Sequence, residues 1–231
     1  MILVFDTETS TFPSSNLPAN HPNQARIVQL AWLLLDEKFE ERACFNSLIK
    51  LPSTVKIAEG AKKAHGISEE DCAKYGIEAE VAVSSLVQLA HKSSTIVGHN
   101  VSFDGKLIDI EYELLLGLSD KRWFNGCGGL FCTMEAMTPI CKLPFANGKR
   151  AWGNQKYKWP TLQEAHCHAF GNKFEGAHDA LADVRATARV YRWLMSSHCG
   201  SVNEKIMRQY DVNPLIDDPK FSKPLPEMKV V

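Results

Sequence analysis

The chain has 231 residues, of which 45% are hydrophobic and 23% charged, with 26 basic against 27 acidic side chains and a formal net charge of −1. At roughly 100 to 200 residues per domain this is one domain with or without a tail, large enough to bury a core without disulfide or metal staples. It is too apolar for a disordered chain and too balanced in charge to coat nucleic acid as a polycation.

Met1 to Phe5 is apolar and β-prone and then meets Asp6, which predicts a buried strand ending at a polar site. Residues 10 to 25 hold Pro13, Pro18 and Pro22 and read as an irregular loop. Ile27 to Leu35 and Arg42 to Leu51 are strand-like, completing a three-strand meander. The first of these is the longest apolar run. Gln29 interrupts it, and it falls far short of the ~18 residues of a membrane span, so a soluble protein is expected.

Helical signals begin at Ile57. Ser68 and Asp71 have capping-box spacing, and Val81, Leu86, Leu89 and Ala90 suggest an apolar helix face. Thr95 to Gly98 is a short strand leading through His99 and Asn100 into a helix with Leu107, Ile110, Leu114 and Leu115. Leu130 to Cys132 predicts a strand before a helix at 133 to 138, Leu162 to Phe170 a helix stopped by Gly171, and Asp179 to Met195 a long amphipathic helix. Strands first and then helices alternating with strands predict an α/β fold with a helix-covered sheet. Residues 211 to 231 carry four prolines and no helical period, so residues 201 to 231 are expected to form a C-terminal extension.

Seven cysteines and no secretory signal point to a reducing, cytoplasmic compartment. Cys127, Cys132, Cys141, Cys167 and Cys199 with His166, His168 and His198 show no CxxC or HxxxH spacing, which favours ordinary thiols over zinc ligands. Chemistry concentrates elsewhere. Asp6 and Glu8, two apart on a strand, share one face while Thr7 points away. Asp104 sits in the first turn of a predicted helix, and His178 precedes Asp183 by five residues. Five helical residues turn about 500°, so those two converge only if His178 lies in the loop before the helix, an arrangement that Gly176 and a cap at Asp179 allow.

Each acid alone also reads as a solvated strand end or a helix-dipole partner. Together, hard oxygen ligands from three elements suit Mg²⁺ or Mn²⁺. Two such ions ~3.5 to 4 Å apart stabilise the attacking and leaving oxygens of an in-line phosphoryl displacement. An imidazole, ordinarily titrating near ~6.5, can take a proton from the attacking water. Phosphodiester hydrolysis is the chemistry implied.

Asp6-Thr7-Glu8-Thr9, His99-Asn100-x-x-Phe103-Asp104 and His178-x-Ala180-x-x-Asp183 occur in the order of the three motifs of the DEDDh (DnaQ-like) 3′-to-5′ exonuclease family. That family includes the proofreading subunit of bacterial DNA polymerase III, and the resemblance covers about residues 1 to 195. It implies a ribonuclease H-like fold, with a central mixed β-sheet flanked by helices, in an exonuclease domain over residues 1 to 200. It also implies that Asp6 bridges two metal ions, Glu8 and Asp183 hold the water-activating one, Asp104 supports the second, and His178 is the general base. Thr7, Thr9, His99, Asn100 and Phe103 match positions grouped around substrate, with His99, Asn100 and Phe103 better suited to orienting the Asp104 helix. The first motif departs from the family's usual Thr-Gly-apolar continuation at Ser10-Thr11-Phe12. Phe12 would either stack on terminal bases or pack into its loop.

Between Glu135 and Glu164 there is no acid, while Lys142, Lys149, Arg150, Lys156 and Lys158 interleave with Phe145, Trp152, Tyr157 and Trp159. Taking those five bases from the total of −1 leaves the rest of the chain at −6. Such a segment either tracks a flexible single strand, charge on phosphates and rings on bases, or is a solvated loop. Arg185, Arg189 and Arg192 read as a solvated helix face. The expected activity is 3′-to-5′ removal of nucleoside monophosphates from single-stranded DNA ends, in proofreading or degradation. Alternatives are an exoribonuclease of the same family or a catalytically inactive nucleic-acid-binding module. A DNA polymerase or another replication protein would be the partner of the extension.

Overall fold

The computed structural model describes residues 1–116, 123–124, 126–145 and 156–197. Along the chain it contains β1 (Ile2–Thr9), β2 (Ile27–Leu35), β3 (Glu41–Leu48), α1 (Glu59–His65), α2 (Glu69–Tyr75), α3 (Ala79–Ala90), β4 (Thr95–Gly98), α4 (Val101–Leu116), β5 (Gly129–Cys132), α5 (Thr133–Cys141), α6 (Leu162–Phe170) and α7 (Ala180–Ser197). The strands form one sheet in the order β3-β2-β1-β4-β5. β1, β2 and β3 are antiparallel neighbours, whereas β4 and β5 run parallel to β1. The sheet is therefore mixed, as expected. No described helix is long and apolar enough to cross a membrane.

Period-2 alternation divides the sheet between two cores. Leu3, Phe5, Leu30, Trp32 and Leu34 pack with α3 and α4 through Leu86, Val87, Leu107 and Ile108. Ile2, Val4, Ala31, Leu33 and Leu35 pack with α5, α6 and α7 through Met137, Ala165, Val184, Val190 and Leu194. With helices on both faces, β2 is buried along its whole length, which explains a nearly unbroken apolar run there.

Several elements differ from the sequence expectation. β1 continues through both acids to Thr9, because β2 pairs with it all the way, Asp6 opposite Ala31 and Glu8 opposite Gln29. The helical region from Ile57 is broken into three short helices. Gly66, at φ 75°, closes α1, and the Ser68–Asp71 capping box, complete as its spacing predicts, opens α2. Val81 is 55% exposed, the inward face of α3 being Ala82, Val83, Leu86, Val87 and Ala90. The helix predicted at 133 to 138 runs on to Cys141 and takes in Pro139. His198, Cys199, the extension 201 to 231, and Lys149, Arg150 and Trp152 lie outside the described residues.

The loop after β1 is tied back at its far end. Arg26 donates from Nε and NH2 to the two carboxylate oxygens of Glu111 on α4, at 2.8 and 2.7 Å, and the Ile27 N–H adds a 3.1 Å bond to the same carboxylate. Glu111 is buried, so removing it would strand a largely buried guanidinium. Glu111→Ala is expected to lower the unfolding free energy by about 3 to 5 kcal/mol, measured by chemical denaturation; a loss under 1 kcal/mol would contradict a load on this pair.

Candidate active site

β4 pairs with β1 only from Ile2 to Val4, so the last part of β1 projects beyond its parallel neighbour. There the Thr7 N–H donates to Asp104 Oδ1 at 3.1 Å, and the Thr7 hydroxyl donates to the same oxygen at 2.6 Å. Thr7 is buried, on the face opposite Asp6 and Glu8, and its role is to hold Asp104 against the strand. Thr9 likewise turns inward, its hydroxyl donating to the carbonyls of Thr11 at 2.8 Å and Arg26 at 3.3 Å. Both hydroxyls, expected beside substrate, are engaged by the protein itself.

His99 and Asn100 form the joint between β4 and α4. His99 Nε2 lies 3.0 Å from the Pro160 carbonyl, which can only accept, so Nε2 carries the hydrogen and Nδ1 faces the Thr133 hydroxyl at 3.0 Å. Burial pushes the His99 pKa down to about 4, keeping the ring neutral in this structural role. Asn100 adopts φ 70°, a left-handed conformation that Asn tolerates better than most residues, and its carbonyl accepts from the Phe103 N–H at 2.8 Å. This turn starts α4 and delivers Asp104.

α7 delivers the other pair. Gly176 at φ 79° and His178 at φ 70° make a tight turn, after which Asp179 caps the helix by accepting from the Ala182 N–H at 3.0 Å. His178 therefore lies before the helix, and its N–H donates to Asp183 Oδ2 at 3.2 Å. A non-glycine residue held left-handed costs of order 1 to 3 kcal/mol and persists only where its surroundings determine it. Ligand atoms of Glu8, His178 and Asp183 lie within 4.8 Å of one another, the one such His/Cys/Asp/Glu group among the described residues. No described cysteine joins it.

Of the remaining substrate candidates, Phe12 is 84% exposed, so it is not packed into its loop; its ring meets Phe103 edge-on at 6.1 Å. Lys156 is exposed, with Nζ 5.3 Å from the Tyr157 ring. Lys158 differs from the expectation: its ammonium is held by both Glu164 oxygens at 2.7 and 2.8 Å, so its charge is already partnered. His65, which motif reading passed over, ends α1 with Nε2 3.3 Å from the Thr9 carbonyl; burial lowers its pKa and proximity to His178 adds to this. Its only sequence signal is a His-Gly pair at a helix end.

The acids strain one another. Burial first, then Asp104, Asp183 and Glu8, holds the Asp6 pKa well above the carboxylate range. Burial with the charges of Asp183 and Asp104 pushes Glu8 up to about 8. Burial raises Asp104 to about 7 against the two Thr7 hydrogen bonds, and raises Asp183 to about 6 against the His178 N–H. Asp183 Oδ1 is buried with no hydrogen-bond partner among the described residues. An all-oxygen, mutually repelling set with an orphaned oxygen fits a hard divalent cation.

In chelator the folded protein binds protons that the unfolded chain, titrating near ~4, has released. Stability therefore falls as pH rises from that value through the raised ones, about 6, 7 and 8 for Asp183, Asp104 and Glu8, with raised Asp6 adding to the fall. Glu8→Gln should match wild type in Tm near pH 4 and gain on it steadily up to pH 8; a difference independent of pH would contradict the repulsion.

The family model RNase T, described as "Exonuclease", matches residues 3–191. No curated protein matches the sequence. Among solved structures, Escherichia coli exonuclease I in complex with a dT13 oligonucleotide is similar with a TM-score of 0.63 and 21% identity, over 84% of this chain and 41% of that one. A moderately thermophilic exonuclease I from Methylocaldum szegediense gives 0.62 and 21%, over 86% and 41%. The zinc-bound E. coli exonuclease I–ssDNA complex gives 0.63 and 19%, over 86% and 41%. The chain thus spans about two fifths of the length of the structures it resembles, and at this identity they establish its ribonuclease H-like fold. With most of the sequence matched by the family model and Asp6, Glu8, Asp104, His178 and Asp183 gathered at one strand end, the chain belongs to the metal-dependent exonucleases, in their DEDDh branch.

Proposed function

We propose that the chain removes nucleoside monophosphates from the 3′ ends of single-stranded DNA, with two Mg²⁺ or Mn²⁺ ions as cofactors. The observation that carries this is the convergence of Asp6, Glu8, Asp104, Asp183 and His178, with an Asp183 oxygen that has no hydrogen-bond partner among the described residues. Asp6 would contact both ions, Glu8 and Asp183 would hold one, and Asp104, braced by Thr7, would support the other. The ions supply charge stabilisation at the attacking and leaving oxygens of an in-line displacement.

The protein's own residues do the rest. His178, exposed at the mouth of the acid cluster, takes the proton as the water oxygen bonds to phosphorus and the P–O3′ bond of the preceding nucleotide breaks. The exposed Phe12 ring, backed edge-on by Phe103, offers a stacking surface for a terminal base. Lys156 offers an exposed charge to the strand behind it, whereas Lys158 braces the start of α6 through Glu164. Residues 1 to 200 form the catalytic domain and 201 to 231 an extension suited to attaching a polymerase or another replication protein. The free thiols of the described cysteines favour a reducing, cytoplasmic setting.

The decisive experiment incubates the purified protein and Mg²⁺ with matched 3′- and 5′-labelled DNA and RNA oligonucleotides, single-stranded and with a mismatched 3′ end. Stepwise release of deoxynucleoside monophosphates from the 3′ end is expected; release from the 5′ end would overturn the reading, and preference for RNA would make it an exoribonuclease. Asp6→Ala should abolish hydrolysis and weaken Mn²⁺ binding measured by calorimetry, and undiminished turnover would sink the assignment. Phe12→Ala should cost about 1 to 3 kcal/mol of binding, roughly 5- to 150-fold in KM, with kcat nearly unchanged. Lys156→Gln should raise KM and flatten its salt dependence, while Lys158→Gln should affect stability more than the salt slope.

A further inference from the structure

We infer that Gln29 is a positioning residue, an amide that ties the segment carrying His178 and Asp183 to the strand pair carrying Glu8; this rests on the exonuclease reading of the site. Gln29 is the only polar residue in Ile27–Leu35 and is 6% exposed. A leucine there would suit a strand buried on both faces equally well, so strand formation does not call for the amide. A buried amide must also find partners or forfeit its hydration.

Its partners lie 17 to 151 residues away. Oε1 accepts from the Ala180 N–H at 3.2 Å, and Nε2 donates to Asp179 Oδ2 at 3.2 Å and to Asn46 Oδ1 at 3.0 Å. Ala180 is the first residue of α7, so its N–H is one of the donors a helix start leaves without an intrahelical acceptor. Asp179 satisfies the Ala182 N–H with its other oxygen. The start of α7 is thus capped twice, once locally and once from the sheet.

Register gives this second cap its consequence. Gln29 lies directly opposite Glu8 across the β1–β2 ladder, so the rung that presents Glu8 also grips the two residues that follow His178. His178 is left-handed and exposed, with no hydrogen bond holding its ring among those described, and its place is decided by its flanks. Gly176 fixes one flank and the Gln29 amide the other. Outer partners of this kind commonly govern activity about 10- to 100-fold without touching substrate.

The test uses the full chain carrying Gln29→Leu, Gln29→Glu, Asp179→Asn, or Gln29→Glu together with Asp179→Asn. Kinetics on a single-stranded oligonucleotide are combined with amide hydrogen exchange at Ala180. Gln29→Leu should lower kcat about 10- to 100-fold at unchanged KM and speed Ala180 exchange. Gln29→Glu should also lower kcat, because two carboxylates then face each other where 3.2 Å now separates amide from carboxylate. The double variant exchanges amide and carboxylate across the same bond and should recover most of the lost kcat and protection. Wild-type kcat and wild-type Ala180 exchange in Gln29→Leu would overturn the inference. So would a fall in Tm in every variant with no rescue in the double. If wild-type protein releases no nucleotide, the exonuclease reading fails, and Ala180 exchange in Gln29→Leu and the double variant still decides the tether.

Discussion

Four carboxylates crowd the projecting end of one buried strand, and the surrounding structure holds them there against their own repulsion. Removing charge from water is costly, and adding like charges nearby makes it more so, which is why Asp6, Glu8, Asp104 and Asp183 all keep their protons to unusually high pH in the absence of a cation. Such a cluster is maintained only by anchoring stronger than the repulsion. Thr7, within the sheet, supplies two hydrogen bonds to Asp104, and the His178 N–H supplies one to Asp183.

The sheet makes this anchoring available through one inequality of length. β4 pairs with β1 only as far as Val4, while β2 follows β1 to Thr9. One edge of β1 is thereby left open beside the acids, and the Thr7 N–H is free to grip a side chain from α4. The His99–Asn100 joint, with a neutral ring bonded at both nitrogens and a left-handed asparagine, aims the first turn of α4 into that opening. On the other face, α7 arrives with its N-terminus toward the acids. A helix N-terminus carries partial positive charge, so this orientation also moderates the negative field.

A net charge of −1 conceals an uneven distribution. The acidic centre needs cations, and the acid-free stretch from 136 to 163 compensates with five bases. The structure sharpens what that stretch contributes: Lys158 is engaged with Glu164, the Pro160 carbonyl holds His99, and Lys156 stands exposed. Pro160 thus packs behind the α4 joint, while Lys156 presents a charge at the surface. Phe12, exposed beside Phe103, is the complementary apolar feature.

The candidate site residues and most elements are legible in the amino-acid order. The Asp-x-Glu, Asn-x-x-x-Asp and His-x-x-x-x-Asp spacings, the apolar periods, the capping residue Ser68, and the stop at Gly171 are local patterns, and local patterns survive in one dimension. The need for His178 to precede α7 followed from helical geometry alone. Relations between distant residues, by contrast, exist only once the chain has folded. Thr7 and Asp104 are 97 residues apart, and Gln29 and Ala180 are 151 apart. In the sequence Gln29 is merely a break in an apolar run, and Lys158 merely a base in a basic segment. Whether a polar side chain faces a substrate or another residue depends on what folding brings beside it, and a hydrogen bond spanning more than a hundred residues leaves no periodicity to read.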